Sequence, residues 1–289
     1  MNKVMERKRL PDYLKRGIVD TEKTKLVRSI LKNKCLNTVC EAARCPNKAE
    51  CYAKNTATFL ILGNICTRNC RFCNISGGVP EPPDRTEPFK VAQAIKELGL
   101  KYAVITSVTR DDLPLQGADM FAQVIVESKK LVPDIKIEVL TPDFEGIDDL
   151  IDIVVDAKPD VFNHNIETVQ RLYPRARPLA KYERSLSFLK HIKERNPEMI
   201  TKSGLMVGLG ETFDELEQTF KDLNSAGCDI VTVGQYMQPS KRHLEVEKYY
   251  TQDEFETLKK LAKNAGINQI VASGLVRSSY KAFETFLDS

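Results

Sequence analysis

An α/β fold built on a parallel sheet is predicted by two observations. From Thr56 onward, short β-type runs alternate with amphipathic helical runs, the pattern of βα units that pack helices against a parallel sheet. The chain has 289 residues, of which 42% are hydrophobic and 29% charged. Those are ordinary values for a globular protein, and the chain is long enough to bury about 75% of its unfolded surface without disulfide staples.

The elements follow in chain order. Residues 1–34 carry 11 Lys+Arg against 4 Asp+Glu, a basic head with a helical look only around Thr21–Lys32, while the rest of the chain has a net charge of −4. The stretch Cys35–Cys51 is too dense in Cys, Pro and Asn for regular structure. Strands are expected at 56–64, 102–107, 135–140, 160–165, 200–208 and 229–234. Helices follow near 88–98, 117–131, 146–156, 166–173 with 181–195, 212–226 and 252–265. A last β-type run, INQIVASG (267–274), precedes the tail. The Pro-rich piece at 79–88 reads as a rigid loop. The resulting division is an N-terminal extension over 1–55, a βα body over 56–265 and a C-terminal segment over 266–289. Six βα units fit a closed or partly closed barrel, and a doubly wound sheet fits the alternation equally well. In either case the chemistry belongs at the C-terminal ends of the strands.

Composition excludes several classes. Apolar runs such as Phe59–Leu62 are far shorter than the roughly 18–20 residues of a membrane span. The start, MNKVMERKRLPDYLK, lacks the apolar core of a secretory signal, so a cytoplasmic, reducing compartment is expected. The net charge of +3 is too near neutral to argue for a nucleic-acid partner.

Seven of the eight cysteines fall within residues 35–73. In a reducing compartment such clustering means metal or catalysis more often than disulfides. Directly after the first strand comes ICTRNCRFC, which places Cys66, Cys70 and Cys73 in a C-x3-C-x2-C spacing. Three thiolates on one loop suit three corners of a cubane iron–sulfur cluster and leave one iron open for substrate chemistry. A structural zinc site or a reduced Cys-rich loop is the alternative, but no His lies nearby. Upstream, CEAARCPNKAEC places Cys40, Cys45 and Cys51 in a C-x4-C-x5-C spacing. This reads either as a structural staple for the extension or as a second, reactive cluster.

The C-x3-C-x2-C loop with Phe72 before its last Cys resembles the radical S-adenosylmethionine enzymes. The two motifs together closely resemble the lipoyl synthases. That likeness continues through ATFLILG (57–63), PPDRTEP (82–88), TSVTRDDL (106–113), LTPDFEG (140–146), FNHNIETVQRLYP (162–174), GLMVGLGET (204–212), TVGQYMQPSKRHL (232–244) and VASGLVRSSY (271–280). The resemblance implies a partial (β/α)6 TIM-like barrel whose extensions carry an auxiliary cluster. It further implies two 4Fe-4S clusters, one on Cys66, Cys70 and Cys73, the other on Cys40, Cys45, Cys51 and Ser279 of Arg277-Ser278-Ser279-Tyr280. Each of two S-adenosylmethionine molecules per lipoyl group would supply a radical that removes a hydrogen. The auxiliary cluster would donate the two sulfurs inserted at C6 and C8 of an octanoyl-lysine. Implied partners are an octanoylated carrier domain (2-oxoacid dehydrogenase E2 or glycine cleavage H protein), an electron donor such as ferredoxin or flavodoxin, and an iron–sulfur carrier protein. A serine alkoxide is a hard ligand, poorly matched to a sulfide-rich iron, and suits an iron that must be released.

Thr106, Ser107, Asn163 and Asn165 end strands and are candidate contacts to S-adenosylmethionine. So is Glu211, beside the backbone N–H groups of Gly208-Leu209-Gly210. His164 is expected to be a satisfied core histidine, and Asp111 and Asp112 to be surface caps. Cys35 is read as a spare thiol and Cys228 as a small buried apolar residue. The basic head is a solvated face or a dock for an acidic carrier domain. Several positions depart from the family pattern. Tyr52 stands where Trp is usual, Asn64 where Asp is common, Leu115-Gln116 where an acidic residue and Gly are common, and Glu245 for a usual Pro, while a Pro is missing between Gly274 and Leu275. None removes a cluster ligand. Biotin synthases and methylthiotransferases fit these spacings less well. A two-cluster electron-transfer protein would need a fourth Cys for each cluster, and a zinc-bound nucleic-acid module fits the near-neutral body poorly.

Overall fold

The computed structural model describes residues 9–15, 22–43, 45, 47–53, 58–280 and 282–287. The N-terminal extension contributes helix α1 (Glu22–Asn33), the two-residue strand β1 (Asn37–Thr38), and short helices α2 (Val39–Ala42) and α3 (Lys48–Ala53). The body then runs β2 (Thr58–Ile61), β3 (Ile65–Cys66), β4 (Ser76–Gly77), α4 (Glu87–Glu97), β5 (Tyr102–Ser107), α5 (Ala118–Leu131), β6 (Lys136–Leu140), α6 (Asp148–Asp156) and β7 (Val161–Asn163). It continues α7 (Tyr173–Ala176), α8 (Tyr182–Arg195), β8 (Ile200–Val207), α9 (Phe213–Ser225), β9 (Ile230–Gln235), α10 (Gln252–Asn264), β10 (Gln269–Ser273) and α11 (Ala282–Leu287). The parts of the basic head at 1–8 and 16–21 lie outside the described residues. Among the described residues no helix is long and apolar enough to cross a membrane.

The main sheet has the order β1-β2-β5-β6-β7-β8-β9-β10. All neighbours are parallel except β1, which runs antiparallel to β2 at one edge. The order never reverses. A doubly wound sheet reverses at its switch point, so the wall is that of an open barrel. The sheet runs past residue 265, because β10 pairs with β9 over Gln269–Ser273.

Strand side chains alternate between two environments. Ala103, Ile105, Ile137, Val139 and Phe162 pack outward with helix residues such as Val91, Ile95, Phe121, Val124, Ile151 and Phe188. The second half repeats this, with Leu205, Val207, Val231 and Val233 against Leu216, Phe220 and Leu258. Helices α9 and α10 begin with capping boxes, Thr212 with Glu215 and Thr251 with Glu254, which satisfy otherwise orphaned N–H groups.

The inner face is partly polar. Lys202 Nζ lies 3.0 Å from both oxygens of Glu138, and both residues are buried. Tyr102 donates its hydroxyl to the same carboxylate at 2.7 Å, and Asn163 donates Nδ2 to it at 2.9 Å. A buried pair is tolerable only when its remaining lone pairs and protons are satisfied, and residues on β5 and β7 do that here. Helix α11 closes this side, with the Phe286 and Tyr102 rings 5.6 Å apart.

The expected helix at 166–173 does not form. Glu167 adopts φ +66° and bridges Leu205 of β8. A 3-10 turn at Gln170–Leu172 then leads into α7, which holds Pro174 in its first turn. Pro lacks the N–H that an interior helical position needs, so the chain hugs the barrel rim before α8 begins.

Candidate active site

The second cysteine motif leaves β2 through Leu62 and Gly63, at φ +67° and +92°. Cys66 lies on β3, which pairs with β4 just beyond Cys73, so the loop is closed on itself. Backbone bonds tie it to distant elements: Thr67 N to Thr109 O at 3.0 Å, Arg71 N to Ala176 O at 2.9 Å, and Leu244 N to Arg71 O at 3.1 Å. His243 Nε2 lies 3.0 Å from Cys73 O. The main anchor is Arg68. It forks onto Asp111 with two bonds of 2.8 Å and reaches Asp143 at 2.7 Å. Burial opposes ionisation of Asp143, but Arg68, His164 and Arg184 outweigh it and hold its carboxyl below the ordinary range. Asp112 forks in the same way with the buried Arg110, at 2.8 Å for both bonds. The acidic pair is therefore consumed in two bidentate ion pairs rather than in capping.

The three cysteines border a cavity of about 640 Å³ at the C-terminal ends of β2, β5, β6 and β7. Thr106, Ser107, His164, Asn165, Glu167, Arg177, Arg242 and His243 also line it. Burial pushes the Cys73 thiol up to about 12 and raises that of Cys70, where Arg177 works in the opposite direction. A thiolate in this site needs compensating positive charge, which a metal centre supplies.

The candidate cofactor contacts divide into two sets. Thr106 donates to Leu140 O at 2.8 Å and lines the cavity. Ser107 lines it with a buried hydroxyl that has no partner among the described residues. Asn165 lines it and donates Nδ2 to Glu167 at 3.0 Å. Asn163 is not a lining residue and is engaged by Glu138 on the inner face. Glu211 also stands apart, turned back to accept the N–H groups of Gly208 and Leu209 at 2.5 and 2.9 Å. His164 is satisfied as expected, with Nδ1 3.0 Å from Thr141 O and Nε2 3.0 Å from Ser185 Oγ. Desolvation, with Arg177 next, holds it down at about 4, so it is neutral at pH 7.

Among the lining residues that the sequence did not single out are Glu167 and Arg177. Burial raises the Glu167 carboxyl while Arg177 and Asn165 lower it. Arg177 donates to Asn165 O at 3.0 Å and to Tyr173 Oη at 3.3 Å, and its buried Nε has no partner among the described residues. Their signal was present as the charged residues of NIETVQRLYPRAR (165–177). An expected amphipathic helix, however, treats such residues as a solvated face.

The first cysteine motif spans α2, which carries Cys40, and α3, which carries Cys51, with Cys45 between them. Burial pushes the Cys40 thiol up to about 11. Cys45 N bonds Cys40 O at 3.1 Å, and Cys51 N bonds Asn47 O at 3.0 Å. This loop is stitched to the other end of the chain. Asn47 donates to Leu275 O at 2.7 Å, and Tyr280 donates its hydroxyl to Glu50 at 3.2 Å. The turn that carries Ser279, closed by Tyr280 N to Arg277 O at 2.9 Å, is thereby held beside it. The segment crosses β9 at Gly234, where an added Cβ would stand 2.1 Å from Val276 O. Cys40, Cys45 and Cys51 do not line the cavity; the first motif approaches it through Val39, which does, and through Asn74, whose Nδ2 donates to Ala42 O at 2.9 Å. Tyr52 is fully buried, with its hydroxyl 3.1 Å from Thr38 Oγ1. Cys35 is exposed, whereas Cys228 is buried with its thiol 3.3 Å from Ile230 O.

An open parallel barrel with a three-thiol loop at the C-terminal end of its first parallel strand defines a class, and residues 60–223 match the radical SAM superfamily. Solved structures agree at the level of fold. Streptococcus suis SuiB bound to S-adenosylmethionine superposes with a TM-score of 0.60 at 14% identity, over 79% of this chain and 55% of that one. Methylornithine synthase superposes at 0.54 and 13% identity, over 88% and 79%. Within that class, the lipoyl synthase of Caldanaerobacter subterraneus subsp. tengcongensis is 52% identical over 95% of this chain and 96% of its own length. The lipoyl synthase of Rubrobacter xylanophilus is 50% identical over 96% and 87%. The chain belongs to the lipoyl synthase family of radical SAM enzymes, whose known reaction is sulfur insertion at C6 and C8 of an octanoyl group.

Proposed function

We propose that this chain inserts two sulfur atoms, at C6 and C8, into an octanoyl group held in amide linkage to a lysine of a lipoyl carrier domain. The observation that carries the reading is the cavity bordered by Cys66, Cys70 and Cys73, which the first cysteine group approaches through Val39 and the Asn74–Ala42 bond.

The donor set fits the implied groups. Cys66, Cys70 and Cys73 would hold one 4Fe-4S cluster, with the fourth iron left to S-adenosylmethionine. Cys40, Cys45, Cys51 and Ser279 would hold the auxiliary cluster that serves as sulfur donor. When bound, these groups supply one-electron reduction, hydrogen abstraction and sulfide, with two S-adenosylmethionine molecules used per lipoyl group. The chain's own residues bind, orient and exclude water. Arg68, fixed between Asp111 and Asp143, holds the second loop in one conformation. Arg177 presents a buried cation with an unpartnered Nε, which suits the carboxylate of the cofactor. Ser107, Asn165 and Glu167 offer the hydroxyl, amide and carboxylate that a ribose needs. Asn163 and Glu211 are engaged elsewhere and do not line the cavity.

An electron donor of the ferredoxin or flavodoxin type and an iron–sulfur carrier protein complete the proposed partners, in a cytoplasmic setting. The basic head would dock an acidic carrier domain, giving salt-sensitive association.

The test is an anaerobic single turnover of cluster-reconstituted protein with an octanoyl-lysine peptide, S-adenosylmethionine and a strong reductant. Mass spectrometry should find two added sulfurs, with a singly sulfurated intermediate at early times. An unchanged peptide accompanied by 5′-deoxyadenosine would break the substrate assignment.

A further inference from the structure

Ser278 has no part in the reading above, which uses its neighbour Ser279. Its hydroxyl donates to Asn165 Oδ1 at 2.6 Å across 113 residues of sequence. Asn165 Nδ2 in turn donates to Glu167 Oε1 at 3.0 Å. These two bonds fix which way the Asn165 amide faces, and Asn165 and Glu167 both line the cavity.

The space for this junction is cleared by Gly204 of β8. A Cβ at that position would stand 2.6 Å from Ser278 Oγ, 2.7 Å from Thr232 Oγ1 and 2.8 Å from Asn165 Oδ1. Three polar side chains from three parts of the chain thus meet where one strand carries no side chain. The far side of the same turn is fastened to the first cysteine loop, through Asn47 to Leu275 O and Tyr280 to Glu50. The turn at 275–280 therefore touches a cavity residue with one hand and the first cysteine loop with the other.

We propose that Ser278 is a positioning residue that couples the cofactor cavity to the first cysteine loop. By holding the Asn165 amide it orients the cavity wall for S-adenosylmethionine. A cofactor that engages Asn165 and Glu167 clamps the 275–280 turn in return, because coupling between two sites is reciprocal. The proposal rests on the cavity being the cofactor site. Its effect is to favour radical formation when the sulfur-bearing loop is seated, so that cofactor is not cleaved without sulfur transfer.

The test uses the full-length protein with both clusters, under anaerobic conditions. Wild type, Ser278→Ala and Ser278→Thr are compared, the last because it keeps the hydroxyl. With reductant withheld, amide hydrogen exchange of peptides covering 275–280 is measured with and without S-adenosylmethionine, alongside its equilibrium affinity. In wild type the cofactor should slow exchange in this turn. In Ser278→Ala that slowing should be lost and affinity should fall about three- to tenfold, the scale of one hydrogen bond, with Ser278→Thr restoring both. On adding reductant and octanoyl peptide, Ser278→Ala should release more 5′-deoxyadenosine per sulfur inserted. Wild-type affinity and wild-type slowing in Ser278→Ala would overturn the proposal. So would a wild type that binds the cofactor with no change at 275–280. A wild type that binds the cofactor and shows the coupled change but leaves the peptide unsulfurated would instead break the assigned substrate.

Discussion

The two cysteine groups are held by different means. The second is locked into the barrel. Its loop is closed by a strand pair, bonded to the backbone at Thr109, Ala176 and Leu244, and pinned by one arginine between two carboxylates. The first sits outside the parallel wall on two short helices. It is fixed by a two-residue edge strand and by a segment more than 220 residues away in sequence. A loop that meets the cofactor in every cycle needs a single rigid geometry. On the proposed reading, a cluster on the first group would give up its sulfide and be rebuilt, and a seat closed by a separate strap would suit that role.

The sharpest way to break this comparison is to remove ligands. Replacing Cys66, Cys70 or Cys73 by Ala should abolish reductive cleavage of S-adenosylmethionine. Replacing Cys40, Cys45 or Cys51 should leave cleavage detectable by release of 5′-deoxyadenosine and stop sulfur insertion. A Cys45→Ala protein that still makes lipoyl product would remove the division of labour.

Next in size is the anchor. Arg68→Met leaves the buried Asp143 with Arg184 as its remaining ion-pair partner, and breaking a buried pair costs about 3–5 kcal/mol. Urea unfolding should register that loss, and cofactor cleavage should suffer before the first loop releases iron. A smaller effect tests the strap. Gly234→Ala pushes a methyl against Val276 O, at a cost of about 1–3 kcal/mol for overpacking. Limited proteolysis should then release the C-terminal segment while cofactor cleavage survives. Equal loss of both activities would mean that the two seats are one unit.

The smallest effect concerns the cavity wall that faces the second group. Burial and Arg177 hold His164 at about 4, below its ordinary 6.5. A depressed value means that the unfolded chain takes up this proton first. Its contribution to stability is therefore present above pH 6.5 and lost as the pH falls toward 4. Between pH 7 and 5.5 the loss is about 1 kcal/mol, and His164→Gln should flatten that part of the stability–pH curve. An unchanged curve would show that His164 gains its proton without penalty.

The order of the main strands and helices of the βα body, the spacing of both cysteine motifs and the family likeness were legible in the sequence. Each is local, depending on periodicity within a run or on residues a few positions apart. By contrast, α2 and α3, which begin in the Cys35–Cys51 stretch expected to be irregular, and α11 in the tail were not legible. The two-residue strands β1, β3 and β4 were not legible, because two residues cannot display a period. Nor was the missing helix after Asn165. It fails because Glu167 takes a left-handed conformation to bridge β8, a contact between distant residues.

What the sequence determined by itself, then, is the βα rhythm and the two triads of thiols, since chain geometry ties those to neighbouring residues. Tertiary structure alone decided that the sheet order never reverses, that Asp111 and Asp143 converge on Arg68, and that Glu167 and Arg177 face the cavity while Asn163 and Glu211 do not. It alone brought the 275–280 turn across Gly204 and Gly234 to the first cysteine loop. Those outcomes depend on which distant groups meet once water is excluded. Burial makes an unpaired charge or amide costly, so each such group turns to whichever partner the fold brings within reach.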